Sequence, residues 1–309
     1  MRNAFVSEIT AMGREDSRVV MLSGDIGNRL FNDFKNHCPD RFYNCGVAEA
    51  NMTGLAAGLA SCGFRPFTYT ITPFVTTRCL EQIRVDVCYH NLPVVVCAVG
   101  AGYAYATLGA THHACEDIAF LRALPNMTVV CPGDAKEVRK AVRAVLAVNG
   151  PVYLRMGKKG EPVVHEKEFD FTIGKGIVIQ EGSRICLLST GNILPESAHA
   201  GRELEKRGIS TRVVSFHTVK PLDEELLRDA FANFDLVATV EEHSRIGGLG
   251  GAVAEWAADN GPFPARLVRF GTPDLFPHEA GEQEYFRHKF GLTGPQIAEQ
   301  LVAKLGGAR

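Results

Sequence analysis

The sequence predicts two α/β domains built on mostly parallel sheets and joined by a linker, and three observations carry that prediction. Short apolar and β-branched runs alternate with helical patterns, the order that gives parallel strands covered on both faces. The alternation breaks once, across residues 157–184, and then restarts. A chain of 309 residues, 46% of them hydrophobic, can also bury more core than one average domain holds.

An amphipathic pattern fits a helix over residues 3–14, and Ser17–Ser23 is a short strand that ends at Gly24-Asp25-Ile26-Gly27. Ala48–Cys62 reads as a helix rich in Ala and Gly, Phe67–Ile71 as a strand, Thr77–His90 as a helix and Leu92–Val99 as a buried strand. A helix near Glu116–Ala123, a strand at Met127–Cys131, a helix over Asp134–Leu146 and a strand at Pro151–Arg155 complete a first domain, residues 1–156. Gly157, Gly160, Pro162 and Gly182 punctuate a charged linker over 157–184. The second domain, 185–309, repeats the order: strands at Ile185–Ser189, Thr211–Phe216, Leu236–Glu241 and Ala265–Phe270, with helices at Pro195–Arg207, Glu224–Phe231, Gly251–Asp259 and Thr293–Lys304.

The charge balance excludes some partners. The 33 basic and 35 acidic residues are interspersed, leaving a formal charge of −2, so no footprint for nucleic acid or a membrane surface exists. Small polar metabolites fit better. The nine cysteines stand singly, mostly inside apolar runs such as Val94-Val95-Val96-Cys97, with no CxxC or metal spacing. They are expected to be reduced packing residues of a cytoplasmic protein. No signal-peptide pattern opens the chain, and no apolar run approaches the roughly 18 residues of a spanning helix.

Chemistry is expected first at Asn44-Cys45-Gly46-Val47-Ala48-Glu49-Ala50-Asn51-Met52. Glu49 stands in the first turn of a helix whose other residues are nearly all small, so the helix can approach another backbone closely and bury the acid there. By position alone, Glu49 is a first-turn carboxylate that complements the helix dipole. Thr72-Pro73-Phe74-Val75-Thr76-Thr77-Arg78 follows, running into Glu81-Gln82-Ile83-Arg84. Gly109-Ala110-Thr111-His112-His113 then leads into Glu116-Asp117-Ile118-Ala119-Phe120-Leu121-Arg122. The two histidines follow a strand and a Gly-rich turn, where α/β sheets place ligands.

These segments resemble those of transketolases, deoxyxylulose-phosphate synthases and the beta subunits of 2-oxo-acid dehydrogenases. The resemblance implies a thiamine diphosphate pyrimidine-binding domain followed by a smaller transketolase C-terminal-like domain. In those families the glutamate matching Glu49 hydrogen-bonds the cofactor's pyrimidine and favours the imino tautomer that takes up the thiazolium proton. An aromatic stacks on the pyrimidine; counting back from Gln82-Ile83-Arg84 puts its usual place at Val75, and Phe74 is the candidate, with a core role as the competing reading. Arg78 and Asp25 complete the implied cofactor-binding set. The Thr-His-His loop is similar to the loop whose first histidine polarises substrate and moves protons, which implies catalytic roles for His112 and His113. Arg155 and Lys158 fall where the family binds substrate phosphate, with a salt-bridged surface role as the alternative.

Departures from the pattern bear on substrate. Leu108 stands where transketolases carry an aspartate that reads an acceptor hydroxyl. Gly100 stands where they carry a phosphate-contacting histidine, and is expected to open space without adding charge. In the second domain, Val240-Glu241-Glu242-His243-Ser244-Arg245-Ile246-Gly247-Gly248-Leu249-Gly250-Gly251 resembles a family segment that shapes subunit contacts, so Glu242 and His243 are expected to be structural.

The resemblance covers only the C-terminal half of a full-length transketolase. The Gly-Asp-Gly segment that holds diphosphate and metal is missing, since Gly24-Asp25 and Gly133-Asp134 are the only Gly-Asp pairs. It implies a separate N-terminal subunit carrying that half together with Mg2+ or Ca2+, an α2β2 assembly, and transfer of a two-carbon ketol unit between sugars. A thiamine-dependent 2-oxo-acid dehydrogenase beta subunit, a deoxyxylulose-phosphate-synthase-like carboligase and a non-catalytic partner subunit are the alternatives. From another class, Gly100-Ala101-Gly102 after a buried strand raises a nicotinamide-dependent dehydrogenase, although Tyr105 occupies the third glycine's place.

Overall fold

The computed structural model describes residues 1–27, 29–158 and 160–306. The first half of the chain runs α1 (Arg2–Glu15), β1 (Val19–Ser23), α2 (Asn32–His37), β2 (Phe42–Asn44), α3 (Glu49–Ser61), β3 (Arg65–Ile71), α4 (Thr72–Val75) and α5 (Leu80–Gln82). It continues with β4 (Val95–Val99), α6 (Asp117–Arg122), β5 (Thr128–Val130), α7 (Ala135–Ala144) and β6 (Val152–Met156). The second half runs β7 (Ile177–Gln180), β8 (Ile185–Thr190), α8 (Leu194–Lys206), β9 (Thr211–Ser215), β10 (Thr218–Lys220), α9 (Glu224–Asn233), β11 (Leu236–Ser244), α10 (Leu249–Asn260), β12 (Arg266–Thr272), α11 (Gln283–Lys289) and α12 (Gly294–Gly306).

Two sheets organise these elements. The first has the order β10-β5-β6-β4-β3-β1-β2, all parallel except β10, which pairs antiparallel with β5. The second has the order β12-β11-β8-β9-β7, with β7 antiparallel to β9. Central strands such as β1, β4 and β6 are buried at every residue, which explains their unbroken apolar runs. Helix α1 buries Phe5, Ile9 and Met12 on one side and packs against α7. One core cluster runs from Leu22 and Val96 through Val129 and Cys131 to Leu188, Phe216 and Trp256, so the two halves share apolar interior.

The expected two-part, mostly parallel α/β architecture is observed, with three local differences. The Thr77–His90 segment is not one regular helix: a 3-10 turn and α5 give way to a π-helical stretch over Ile83–Tyr89. The segment read as a linker contains β7 and is pinned by Asp134, the N-cap of α7, whose Oδ2 accepts from Val164 N and His165 N at 2.9 and 3.1 Å. Strands β2 and β10 and helices α2 and α11 go beyond the sequence expectation, being too short to show periodicity. All nine cysteines are free thiols, and burial pushes those of Cys88 and Cys131 up to about 11 and about 12. No helix of the described residues is long and apolar enough to cross a membrane.

Candidate active site

The candidate site lies at the carboxyl ends of β1, β3 and β4, where the loops that follow these strands meet the start of α3. Glu49 is the first residue of α3 and is only 2% exposed. Gly24, just past β1, allows this burial: a Cβ there would stand 3.1 Å from Glu49 Cγ and from Thr70 Cβ. Asp25 adopts a left-handed φ of 56° and accepts from Asn44 Nδ2 at 2.9 Å, while Asn44 Oδ1 accepts from Gly46 N at 3.0 Å. The β1 and β2 loops are thus tied together beside the acid.

Arg78 joins the acid to an aromatic ring. Its Nη1 donates to Glu49 Oε2 at 2.7 Å, and its guanidinium lies 4.4 Å over the centroid of Phe74. Val75 faces the core and is fully buried, whereas Phe74, one turn position away, is partly exposed. The other face of the Phe74 environment is His112, with ring centroids 5.2 Å apart at 72°. His112 Nδ1 also lies 2.9 Å from Thr111 Oγ1. Glu49, Arg78, Phe74 and His112 therefore form one continuous line of contacts, drawn from three loops that are distant in sequence.

The two histidines differ. His112 is partly exposed, and His113 is 7% exposed with no side-chain hydrogen bond to either ring nitrogen. Partial burial lowers the affinity of both rings for a proton, so each favours the neutral imidazole at pH 7. His113 packs edge-on against Tyr103 at 5.0 Å and Phe286 at 5.8 Å.

Two expected substrate residues part company here. Lys158 lies 4.7 Å over the ring of Tyr105, which is itself 6.4 Å from His112, so it borders the histidine loop. Arg155 does not: it is 1% exposed and enclosed, with Nε donating to Asp117 Oδ2 at 2.7 Å and Nη2 to the carbonyls of Ala114 at 2.7 Å and Glu242 at 3.1 Å. Arg155 is thus neither at the surface nor beside the histidine rings: its guanidinium is buried against Asp117 and two carbonyls, with Nη1 alone lacking a hydrogen-bond partner. The expected role of Gly100 is corrected. It opens no space, because Tyr105 packs where its Cβ would be, and its φ of 95° favours glycine in any case.

The same packing removes the dinucleotide reading of Gly100-Ala101-Gly102. Gly102 has a φ of 60°, and the Glu242 carboxylate fills the place of its missing Cβ. Both glycines serve close packing by the chain's own side chains. Glu242 and His243 are fully buried and structural as expected, but they work inside the chain: Glu242 Oε1 accepts from Tyr103 N at 2.6 Å, and His243 Nε2 accepts from Ala119 N at 3.4 Å. Sequence reading missed Tyr103, Tyr105 and Phe286, and the paired glycines were the signal that large groups crowd this loop.

Comparison with known proteins agrees with the geometry. Residues 1–161 match the family model described as transketolase, pyrimidine binding domain, and residues 174–297 match transketolase, C-terminal domain. The chain is 36% identical over 303 residues to a subunit of an apulose-4-phosphate transketolase from Phocaeicola vulgatus, covering 97% of this chain and 96% of that one. It is 37% identical over 298 residues to a 6-deoxy-6-sulfo-D-fructose transketolase subunit of a Clostridium species, covering 96% and 92%. A solved structure described as a split gene transketolase, inactive beta4 tetramer, superposes with a TM-score of 0.89 at 36% identity over 100% of this chain and 98% of that chain. The chain belongs to the transketolase family, as a C-terminal section made of the pyrimidine-binding and C-terminal domains.

Proposed function

We propose, with that membership as premise, that this chain is the pyrimidine-binding subunit of a two-subunit, thiamine diphosphate-dependent transketolase. It moves a two-carbon ketol unit from a ketose to an aldehyde. The observation that carries the reading is the Glu49, Arg78, Phe74 and His112 line, which sets a buried carboxylate, an aromatic face and a neutral imidazole in one chain of contacts. The pyrimidine-binding domain itself implies the cofactor.

The residues fit that cofactor. The Arg78 guanidinium, a flat hydrogen-bonding group, is already bracketed by the carboxylate of Glu49 and the face of Phe74, and a flat nitrogen heterocycle needs the same two partners. Glu49 and Phe74 would hold the pyrimidine, with Arg78 and Asp25 at its margin. When bound, thiamine diphosphate supplies a carbon nucleophile that adds to a ketose carbonyl and carries the two-carbon unit. Glu49, shielded from water, would fix a proton on the heterocycle's edge. His112, neutral at pH 7, would accept a proton from a substrate hydroxyl as the carbon–carbon bond breaks and return one to the acceptor oxygen. His113 would act behind it, and Lys158 would attract an anionic substrate end.

The missing Gly-Asp-Gly segment supports a partner that brings the diphosphate and metal ligands, Mg2+ or Ca2+, in an α2β2 assembly with a two-fold axis. The names of the relatives, each a subunit or split form, support the same division of labour. Two of those names speak of modified ketoses, which support a modified donor, and Leu108, 54% exposed and apolar, offers no hydrogen bond to an acceptor hydroxyl.

Ketol transfer is measured with this chain alone, with a partner chain carrying Gly-Asp-Gly and a downstream Asn, and with both. Activity only in the mixture is expected. Full turnover by this chain alone would overturn the reading.

A further inference from the structure

The loop that carries the histidines, residues 100–116, is closed at its base by a bridge between Gly102 and Ala114. Beyond that bridge, much of what fixes it comes from the second domain. Glu242 Oε1 accepts from Tyr103 N at 2.6 Å and from Gln283 Nε2 at 2.7 Å, while its Oε2 accepts from Arg287 Nε at 2.5 Å. Ser244 N donates to Cys115 O at 2.7 Å, and Asn192 Nδ2 approaches Ala101 O at 3.5 Å. Arg155 ties Ala114 O to Glu242 O. Helix α11 adds an aromatic wall: Phe286 stacks on Tyr103 at 4.7 Å and 20°, and His113 stands edge-on to both rings. Phe290 closes the cluster at 5.8 Å from Tyr103.

We infer that the second domain is a positioning device for the histidine loop, in which Phe286 and Glu242 set the orientation of His113 by way of Tyr103. This deepens the proposed function and rests on it for the catalytic role of His113. The physical logic is that a loop without regular structure cannot by itself hold an imidazole to the tolerance that proton transfer demands. Displacement by about 1 Å can cost on the order of a hundredfold in rate. A stacked ring and a buried carboxylate, each anchored on a helix or strand of the second domain, supply that rigidity. His113 makes no side-chain hydrogen bond and has only the Ala106 backbone as a polar partner, so aromatic packing carries most of its orientation.

The same wall keeps water from His113. The imidazole of His112 and the ring of Tyr103 stand beside it, and Tyr103 in turn faces the thiol of Cys115 and the carboxyls of Glu116 and Glu242, the last paired with the guanidinium of Arg287. Burial is the first cause of the lowered proton affinity of His113, followed by an opposing interaction with the Ala106 backbone and by repulsion from His112. Opening the wall should therefore let the imidazole titrate closer to its ordinary value of about 6.5.

The test uses Phe286→Ala, Phe286→Tyr and Glu242→Gln, assayed in the assembled two-subunit enzyme, with His113 titrated by NMR in the full chain labelled at histidine nitrogen. For Phe286→Ala, kcat should fall about tenfold or more with little change in donor KM. The His113 titration should move to higher pH. Phe286→Tyr should restore most of the turnover. Thiamine diphosphate binding, which depends on the Glu49 end, should not change. Should Phe286→Ala not fold, Phe286→Leu and Gln283→Ala loosen the same contacts less severely and should give smaller shifts in the same direction. Unchanged kcat and an unchanged His113 titration in folded variants would overturn the inference, and so would a loss of thermal stability alone. Lack of ketol transfer by the wild-type complex would instead refute the proposed function, while the His113 titration would still decide this inference.

Discussion

Replacing Arg155 by methionine separates a substrate contact from a structural one. Methionine keeps most of the hydrocarbon and removes the bonds from the guanidinium to Asp117, to the Ala114 carbonyl and to the Glu242 carbonyl. Asp117, 3% exposed, then keeps the Tyr153 hydroxyl as a donor but loses its buried cation. Breaking a buried ion pair from one side costs about 3–5 kcal/mol, because the remaining charge stays buried. At about 2–4 °C per kcal/mol for domains of this size, Tm should drop by roughly 6–20 °C. The pH dependence sharpens the test. In the wild type, burial raises the Asp117 proton affinity, but the charge of Arg155 and the hydrogen bonds from Arg155 and Tyr153 outweigh it, holding the carboxyl below its usual range. Its stabilising contribution is thus complete above the unfolded value of about 4 and is lost as pH falls through the folded value. In the variant the burial effect is less opposed, so the folded state gains by protonating Asp117 and the deficit relative to wild type narrows on acidification. Thermal unfolding followed by circular dichroism from pH 7 downward measures both effects. An unchanged Tm with a raised KM for a phosphorylated substrate would refute this reasoning and return Arg155 to substrate binding.

Three other outcomes follow from the site. Glu49→Gln should leave the fold intact, since α3 is otherwise lined by small residues, and should slow exchange of the cofactor's thiazolium proton in the assembled enzyme by orders of magnitude; exchange at the wild-type rate would return Glu49 to a helix-dipole role. His112→Ala should reduce kcat more than donor binding, and in the wild type the acid limb of kcat/KM should fall below about pH 6.5, because burial lowers the proton affinity of this ring. With Leu108 offering no hydrogen bond to an acceptor hydroxyl, erythrose 4-phosphate and ribose 5-phosphate should be poor acceptors beside deoxygenated or otherwise modified sugars, and steady-state comparison decides it.

The strand and helix order was legible because each central element is long enough to show its period: nine consecutive buried residues in β11 and five in β4 leave little room for another reading. Local motifs also pointed to Glu49, Phe74, Arg78 and His112, although only the folded chain shows that they touch. What sequence could not show was contact between segments far apart. Arg155 and Lys158 are neighbours in the chain and look alike as cations, yet one closes a buried network and the other borders the histidine loop. The difference lies in Asp117, a partner 38 residues away. Gly100 and Gly102 likewise reveal their purpose only when Tyr105 and Glu242 are seen pressed against them.

Strand β10 carries a consequence for how this polypeptide can be divided. It comes after the connecting segment and three strands of the second sheet, yet it completes the first sheet by pairing with β5, and Cys131 N donates to the His217 carbonyl beside it at 2.6 Å. Severing the chain within 157–176 would strip the first sheet of its last strand and bare the ladder of Thr128–Val130, an edge whose unpaired amides invite association with other chains. Engineers who wish to express, swap or fuse the pyrimidine-binding module must therefore carry residues 217–220 with it or blunt that edge, because the line along which the molecule comes apart does not coincide with any single cut in its sequence.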